Sequence, residues 1–321
     1  MKICVLNDSY MNFGDISWDS LKEFGELSVY HEDSECLSEL VERVGDADII
    51  VSDTPNMVKG LISACPNLKY VTLTATGYDG VEIEAARARN IPVSNAAGYG
   101  THSVSQYAIS LLLEICGQVS FYSDAVHSGR WHGAGADGAR DGDHRLIELA
   151  GKTMGVIGFG NIGRAVGRVA KALGMNVIAY NRSRCAEGEA IAEYVTLDEL
   201  YARADVISLH LPGGAESAGL INRESISKMK DGVIIINNGR GSLIKSTDLA
   251  EALHSGKVYA AGLDVIEKEP ISSDNPLLTA PHCFITPHIS WLPKESRQRI
   301  VDITVQNISA FLEGHPVHVV N

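Results

Sequence analysis

Short apolar runs alternate along this chain with stretches in which apolar residues recur at helical spacing. In the first hundred residues the runs 2–6, 27–30, 48–51, 69–73 and 91–94 read as strands. Helical patterns lie between them, as at Leu37, Leu40, Val41 and Val44, which share one helix face. A second series of strands follows at 154–158, 176–180, 205–209, 233–237, 259–263 and 283–286. Val233-Ile234-Ile235-Ile236 is apolar without alternation, as a strand covered on both faces must be. Strands alternating with helices predict parallel α/β architecture. The segment 103–117 separates the two series, and its apolar residues spread over most of the helix circumference. It is predicted to be a helix buried between two bodies, domains or subunits. Residues 133–145, rich in Gly, Asp and Arg, read as an exposed loop, and 297–313 as a final helix. No repeat or low-complexity tract interrupts the pattern.

Length and charge narrow the picture. With 321 residues the chain can build two cores, and 45% hydrophobic with 21% charged residues is ordinary for a globular protein. The net charge of −13 opposes broad attraction to nucleic acid or an anionic membrane. An anionic substrate would therefore need a local positive pocket. Cys4, Cys36, Cys65, Cys116, Cys185 and Cys283 form no CxxC pair and are expected to be reduced core thiols. The apolar start Ile3–Leu6 is too short for a signal peptide or membrane span, so a cytoplasmic protein is expected. His102, His127, His132 and His144 lack metal-ligand spacing, and no metal is expected. His282 reads as a loop residue and Trp131 as packing.

Gly158-Phe159-Gly160-Asn161-Ile162-Gly163 follows a strand and opens a helix. Gly158 suits a tight turn, Gly160 lets backbone approach a pyrophosphate, and Gly163 lets helix and strand pack closely. The helix start, at Asn161 and Ile162, offers amide donors to phosphates. With strand, glycines, helix and second strand in order, the segment predicts dinucleotide binding. The second strand ends not in an acid but in Asn181-Arg182-Ser183-Arg184. Without a carboxylate to repel it, and with guanidinium groups to pair with it, a 2′-phosphate is accommodated; the run favours NADP over NAD. The other reading makes these arginines solvated surface charges.

Three residues downstream carry catalytic chemistry. Arg240 lies in Asn237-Asn238-Gly239-Arg240-Gly241, Glu269 in Asp264-Val265-Ile266-Glu267-Lys268-Glu269-Pro270, and His288 in Pro287-His288-Ile289-Ser290-Trp291. Arg240 and His288 follow strands, so they belong at the carboxyl edge of a sheet, where ligands bind. With GFGNIG and His210-Leu211-Pro212, these motifs occur in an order that resembles the D-isomer-specific 2-hydroxyacid dehydrogenases over essentially the whole chain.

That resemblance implies that Arg240, Glu269 and His288 are the catalytic trio. A guanidinium can grip the carboxylate and carbonyl of a 2-oxo acid. His288 would give a proton to the carbonyl oxygen as hydride reaches C2, and Glu269 would orient the imidazole and favour its charged form. The resemblance also places Asp264 at the nicotinamide carboxamide, a loop cap being its other reading. It puts the amides around Thr76 and Gly77 of Thr74-Ala75-Thr76-Gly77-Tyr78-Asp79-Gly80 on the substrate carboxylate, and Leu211, Pro212, Asn238 and Gly239 along the cofactor cleft. The implied fold is two doubly wound parallel-sheet domains: a Rossmann cofactor domain, 101–289, inserted into a flavodoxin-like substrate domain, 1–100 and 290–321. Hinge closure of a cleft between them and a homodimer through 103–117 are implied too. Tyr99–Val104 and His288–Trp291 look most like the hydroxypyruvate reductases (glycerate dehydrogenases); glyoxylate and other short 2-oxo acids or sugar acids are the alternatives. A dinucleotide-sensing corepressor shares the fold but would not need the trio, and a formate dehydrogenase would lack Glu269.

Overall fold

The computed structural model describes residues 1–34, 36–52, 60–78, 80–131 and 145–321. They divide into two compact units, Met1–Tyr99 with Trp291–Asn321, and Gly100–Ser290. Of the loop expected at 133–145, all but Arg145 lies outside the described residues, as do His132, His144 and Asp79.

The first unit holds a five-stranded parallel sheet of β1 (Lys2–Val5), β2 (Glu26–Val29), β3 (Ile49–Ser52), β4 (Tyr70–Leu73) and β5 (Val93–Ser94), in the order β2-β1-β3-β4-β5. β3 and β4 are buried at every position, because apolar side chains cover both faces. The Leu37–Val44 helix buries Leu40 and Val44, the predicted face. The Lys294–Leu312 helix packs Ile300, Val301 and Ile308 against the other face, and Phe311 stacks on Tyr70 at 4.3 Å. Arg297, buried in that helix, is held by both carboxylate oxygens of Asp15, at 2.6 and 2.8 Å.

The second unit holds seven parallel strands: β6 (Thr153–Ile157), β7 (Asn176–Tyr180), β8 (Glu193–Tyr194), β9 (Val206–Leu209), β10 (Val233–Asn237), β11 (Val258–Leu263) and β12 (Cys283–Ile285). Their order is β12-β11-β10-β9-β6-β7-β8. β8, a charged and an aromatic residue with no apolar run, was not among the expected strands. All of β10 is buried, as its unbroken apolar run requires.

The Thr101–Gly117 helix is covered on one side by its own unit. It packs there between the sheet and the Asn161–Ala172 helix. Gly262 is what admits it, since a Cβ there would meet Leu111 Cβ at 3.0 Å. Leu113 is left exposed. The cysteines correct an expectation: Cys4, Cys65 and Cys116 are buried, but Cys36 and Cys185 are exposed, both lying in loops just before helices. Among the described residues no helix is long and apolar enough to cross a membrane.

Candidate active site

Five strand ends of the second sheet stand in one row. Ile157 pairs with Leu209, Leu209 with Asn237, Asn237 with Leu263, and Leu263 with Ile285. Gly158, His210, Asn238, Asp264 and Thr286 therefore leave the sheet side by side at its carboxyl edge. β6 is flanked by β7 on one side and β9 on the other, so the strand order reverses there. Open α/β sheets bind ligands in the crevice outside such a point.

The three glycines after β6 answer to different demands. Gly158 has φ +91°, and a Cβ there would lie 2.6 Å from the His210 backbone. A Cβ on Gly163 would lie 2.2 Å from the Gly158 oxygen. Gly160 faces open space, with nothing within 4 Å of an added Cβ. The protein's own packing needs glycine at 158 and 163; at 160 it leaves open room. Asn161 and Ile162 begin the helix, where Arg164 braces the turn through Asn161 Oδ1 at 2.8 Å and the Phe159 oxygen at 3.2 Å.

Asn181, at the end of β7, ties the second strand to the glycine turn: its Oδ1 accepts from Phe159 N at 3.1 Å and its Nδ2 donates to the Ser183 oxygen at 2.8 Å. Arg182 is 81% exposed and, among the described residues, meets a similarly exposed Glu216 at 3.4 Å. Arg184 lies over the Tyr194 ring. The first acid after β7, Glu187, is engaged by Arg164 and Arg168. Asn238 is buried with neither side-chain nitrogen nor oxygen bonded among the described residues. An unpaired buried amide costs about 1–3 kcal/mol, so its natural partner is a bound molecule. The open space at Gly160 and this unpaired amide fit a dinucleotide. Leu211 and Pro212 follow β9 in the same row, after His210, whose Nε2 meets Ser208 Oγ at 2.8 Å. Burial pushes His210 down to about 4, so that ring is neutral.

Arg240 is positioned by Asn237, the last residue of β10. The buried Asn237 side chain accepts from Gly239 N at 3.1 Å and donates to the Arg240 oxygen at 2.9 Å, closing the turn. Gly241 admits the neighbouring segment, because a Cβ there would lie 1.7 Å from the Ile266 oxygen. Glu269 Oε1 accepts from Ile266 N at 3.1 Å, and Oε2 meets His288 Nδ1 at 2.8 Å. Partial burial pushes the Glu269 carboxyl up, but the His288 hydrogen bond and charge, the Ile266 amide and the Arg240 charge outweigh it and hold the group below its ordinary range. The trio is thus one electrostatic unit. It presents an imidazole whose Nδ1 is held by a carboxylate, so Nε2 is the nitrogen turned away from Glu269.

His288 has φ +54°, a left-handed backbone uncommon outside glycine. Asp264 holds it there. This carboxylate is 1% exposed and accepts from Thr286 Oγ1 at 2.7 Å, Ile289 N at 2.9 Å and Ser290 N at 2.8 Å. The Asp264 backbone oxygen accepts from His288 N at 2.9 Å. In this structure Asp264 serves as the cap of the loop that carries His288.

Thr76 and Gly77 lie in the first unit, after β4, with Thr76 exposed and its Oγ1 donating to the Ala96 oxygen at 3.1 Å. His282 stacks on Tyr259 at 5.1 Å, and Trp131, expected to pack, is largely exposed. Among the described residues no cluster of three or more His, Cys, Asp or Glu could hold a metal ion. Asn237 and Arg164 escaped the sequence reading. Asn237 left one signal there: a polar residue closing an otherwise apolar strand.

A dinucleotide cradle, a guanidinium and a carboxylate-held imidazole on one sheet edge define a nicotinamide-dinucleotide-dependent oxidoreductase. Residues 109–290 match the model of the D-isomer specific 2-hydroxyacid dehydrogenase NAD-binding domain, and the chain belongs to that family. It is 50% identical to a hydroxypyruvate reductase of Blautia hydrogenotrophica, with 100% of both chains covered. Among solved structures it resembles a glyoxylate reductase from Paecilomyes thermophila, at TM-score 0.84 and 32% identity over 100% of this chain and 98% of that one. It also resembles an acyclic imino acid reductase in complex with NADPH, at TM-score 0.86 and 27% identity over 100% of both chains.

Proposed function

We propose that this protein reduces hydroxypyruvate to the D-2-hydroxy acid, with NADPH as the favoured reductant. The observation that carries the reading is the 2.8 Å His288–Glu269 pair, in one row of loops with Arg240. The full-length likeness to a hydroxypyruvate reductase points to the substrate. Arg240 grips the substrate carboxylate with its planar fork. The Thr76 and Gly77 amides of the first unit are donors suited to a carboxylate. A bound reduced dinucleotide would supply the hydride for C2. His288 delivers a proton to the carbonyl oxygen, and Glu269 holds the imidazole in the orientation that donation requires. Gly158, Gly160, Asn161, Ile162 and Gly163 cradle the pyrophosphate, and Leu211, Pro212, Asn238 and Gly239 line the cofactor site. Asp264, besides capping its loop, stands beside the carboxamide position.

The test is oxidation of NADPH and of NADH, followed by absorbance, against hydroxypyruvate, glyoxylate, pyruvate and 2-ketogluconate. Highest kcat/KM with hydroxypyruvate supports the reading, and preference for another acid reassigns the substrate. Silence with all four while dinucleotide still binds would replace it with the corepressor reading.

Support for NADP comes from Asn181, Arg182 and Ser183: no carboxylate stands at the end of β7, and Arg182 has only a weak surface ion pair to give up. Replacing Arg182 and Arg184 with Ala is expected to raise the KM for NADPH by about tenfold or more while sparing NADH. Equal effects on both coenzymes would sink the argument.

The partner we propose is a second copy of the chain. Leu113, Val119, Val126, Trp131 and Leu146 are large apolar residues left exposed on and after the Thr101–Gly117 and Val119–His127 helices. A solution mass of one chain at micromolar concentration would contradict this. The exposed free thiols of Cys36 and Cys185 suit the reducing cytoplasm; recovery with the cell envelope on fractionation would contradict that location.

A further inference from the structure

The loop after β4 leaves the buried Thr74 for an exposed Thr76. It is laced to the residues after β5. Asn95 is buried, and its Nδ2 donates to the Thr76 oxygen at 2.8 Å. Ala96 N donates to the Ala75 oxygen at 3.0 Å. Asn95 is held in turn from the far end of the chain. Its oxygen accepts from Asn307 Nδ2 at 3.1 Å and its nitrogen donates to the His318 oxygen at 3.1 Å.

Asn307 is fully buried in the Lys294–Leu312 helix, and its Nδ2 also donates to Thr72 Oγ1 at 3.3 Å. Because the nitrogen faces the Asn95 carbonyl, Asn307 Oδ1 is the atom that meets His318 Nδ1 at 2.8 Å, and that ring nitrogen must carry a proton. His318 has a left-handed backbone, φ +53°. Its segment runs antiparallel to β5: Ser94 bridges Val319, Ser94 Oγ donates to the Val317 oxygen at 2.6 Å, and Val320 N donates to the Val93 oxygen at 2.9 Å.

We propose that His318, Asn307 and Asn95 form a relay of positioning residues that sets the Thr76 and Gly77 amides for the substrate carboxylate. The proposal rests on the reading of that loop given under Proposed function. Amides that bind an anion must be placed within about 0.5 Å. Asn307 and Asn95 are buried and held by several bonds each, which leaves few alternative arrangements and suits them to hold an exposed loop from beneath.

Asn95→Ala removes the donor to Thr76 while keeping the Asn95 backbone bonds. The expected result is a rise of about tenfold in KM for the 2-oxo acid, with kcat and dinucleotide affinity unchanged. His318→Ala, at an exposed position, is expected to raise KM in the same direction by a smaller factor. His318→Asn should restore it, because Asn Nδ2 can donate where His Nδ1 did and Asn tolerates the left-handed backbone. This pair keeps the test open if Asn95→Ala does not fold. Gly77→Pro deletes one loop amide and tests the underlying reading directly. If it raises KM while the Asn95 and His318 variants do not, the relay is wrong and the loop reading stands. If Gly77→Pro leaves KM unchanged, the loop reading falls and takes the relay with it. A parallel loss of kcat and dinucleotide affinity in Asn95→Ala would mean general loosening and would overturn the proposal.

Discussion

His288→Ala is expected to lower kcat for 2-oxo acid reduction by about two to four decades while dinucleotide affinity stays near that of the unmodified enzyme. The loop survives the substitution because its bonds are not made by the imidazole: Asp264 accepts from Ile289 N, Ser290 N and Thr286 Oγ1. What is lost is the proton donor that Glu269 holds at 2.8 Å. Steady-state rates and a fluorescence titration of reduced dinucleotide check both halves. Lost binding would move His288 from proton transfer to cofactor recognition. The sign of the pH dependence follows from Glu269. Its folded-state carboxyl is held below the ordinary value, so the pair with His288 is present above the ordinary glutamate range and lost as pH falls through the depressed value. The reductive rate should therefore keep its plateau down through the ordinary glutamate range. A decline beginning well above that range would contradict the assignment of Glu269.

Arg240→Gln is expected to lower kcat/KM by about two to three decades, the loss of charge-assisted bonds worth about 3–4 kcal/mol together. Arg240→Lys should recover only part, because an ammonium keeps the charge but not the two-pronged geometry. The Asn237 side chain closes the turn through the Arg240 backbone oxygen, so neither variant removes that brace. There is a second readout. The Arg240 charge helps to hold the Glu269 carboxyl down, so in Arg240→Gln the acid limb of the rate profile should move toward higher pH. A drop in kcat/KM with an unmoved acid limb would leave substrate binding intact as Arg240's role and refute its coupling to Glu269.

Much of this was legible in the residues themselves. Apolar runs of four or more marked the longer strands, because a strand buried on both faces has no choice of composition; β8, Glu193 and Tyr194, carries no such run and was invisible. The glycine fingerprint could be read because the left-handed backbone at Gly158 and the approach of Gly163 to the Gly158 oxygen are local demands. Arg240, Glu269 and His288 could be listed from their motifs, but their meeting depends on strand register and on the close approach at Gly241, which no linear pattern displays. The Thr101–Gly117 helix shows the same limit: its uniform apolarity showed that it is covered, not what covers it. Bonds between residues as distant in sequence as Asn95 and Asn307 left no sequence trace at all.

The empty space beside Gly160 has a consequence for how this chain can vary. Alanine at 158 or 163 would be rejected by the protein's own backbone, but alanine at 160 meets nothing. Gly160→Ala should therefore yield a chain that folds and melts normally yet is blind to its dinucleotide. Fitness for folding and fitness for turnover part company at that one residue, so drift toward alanine there would mark a descendant that has kept the scaffold and abandoned the chemistry.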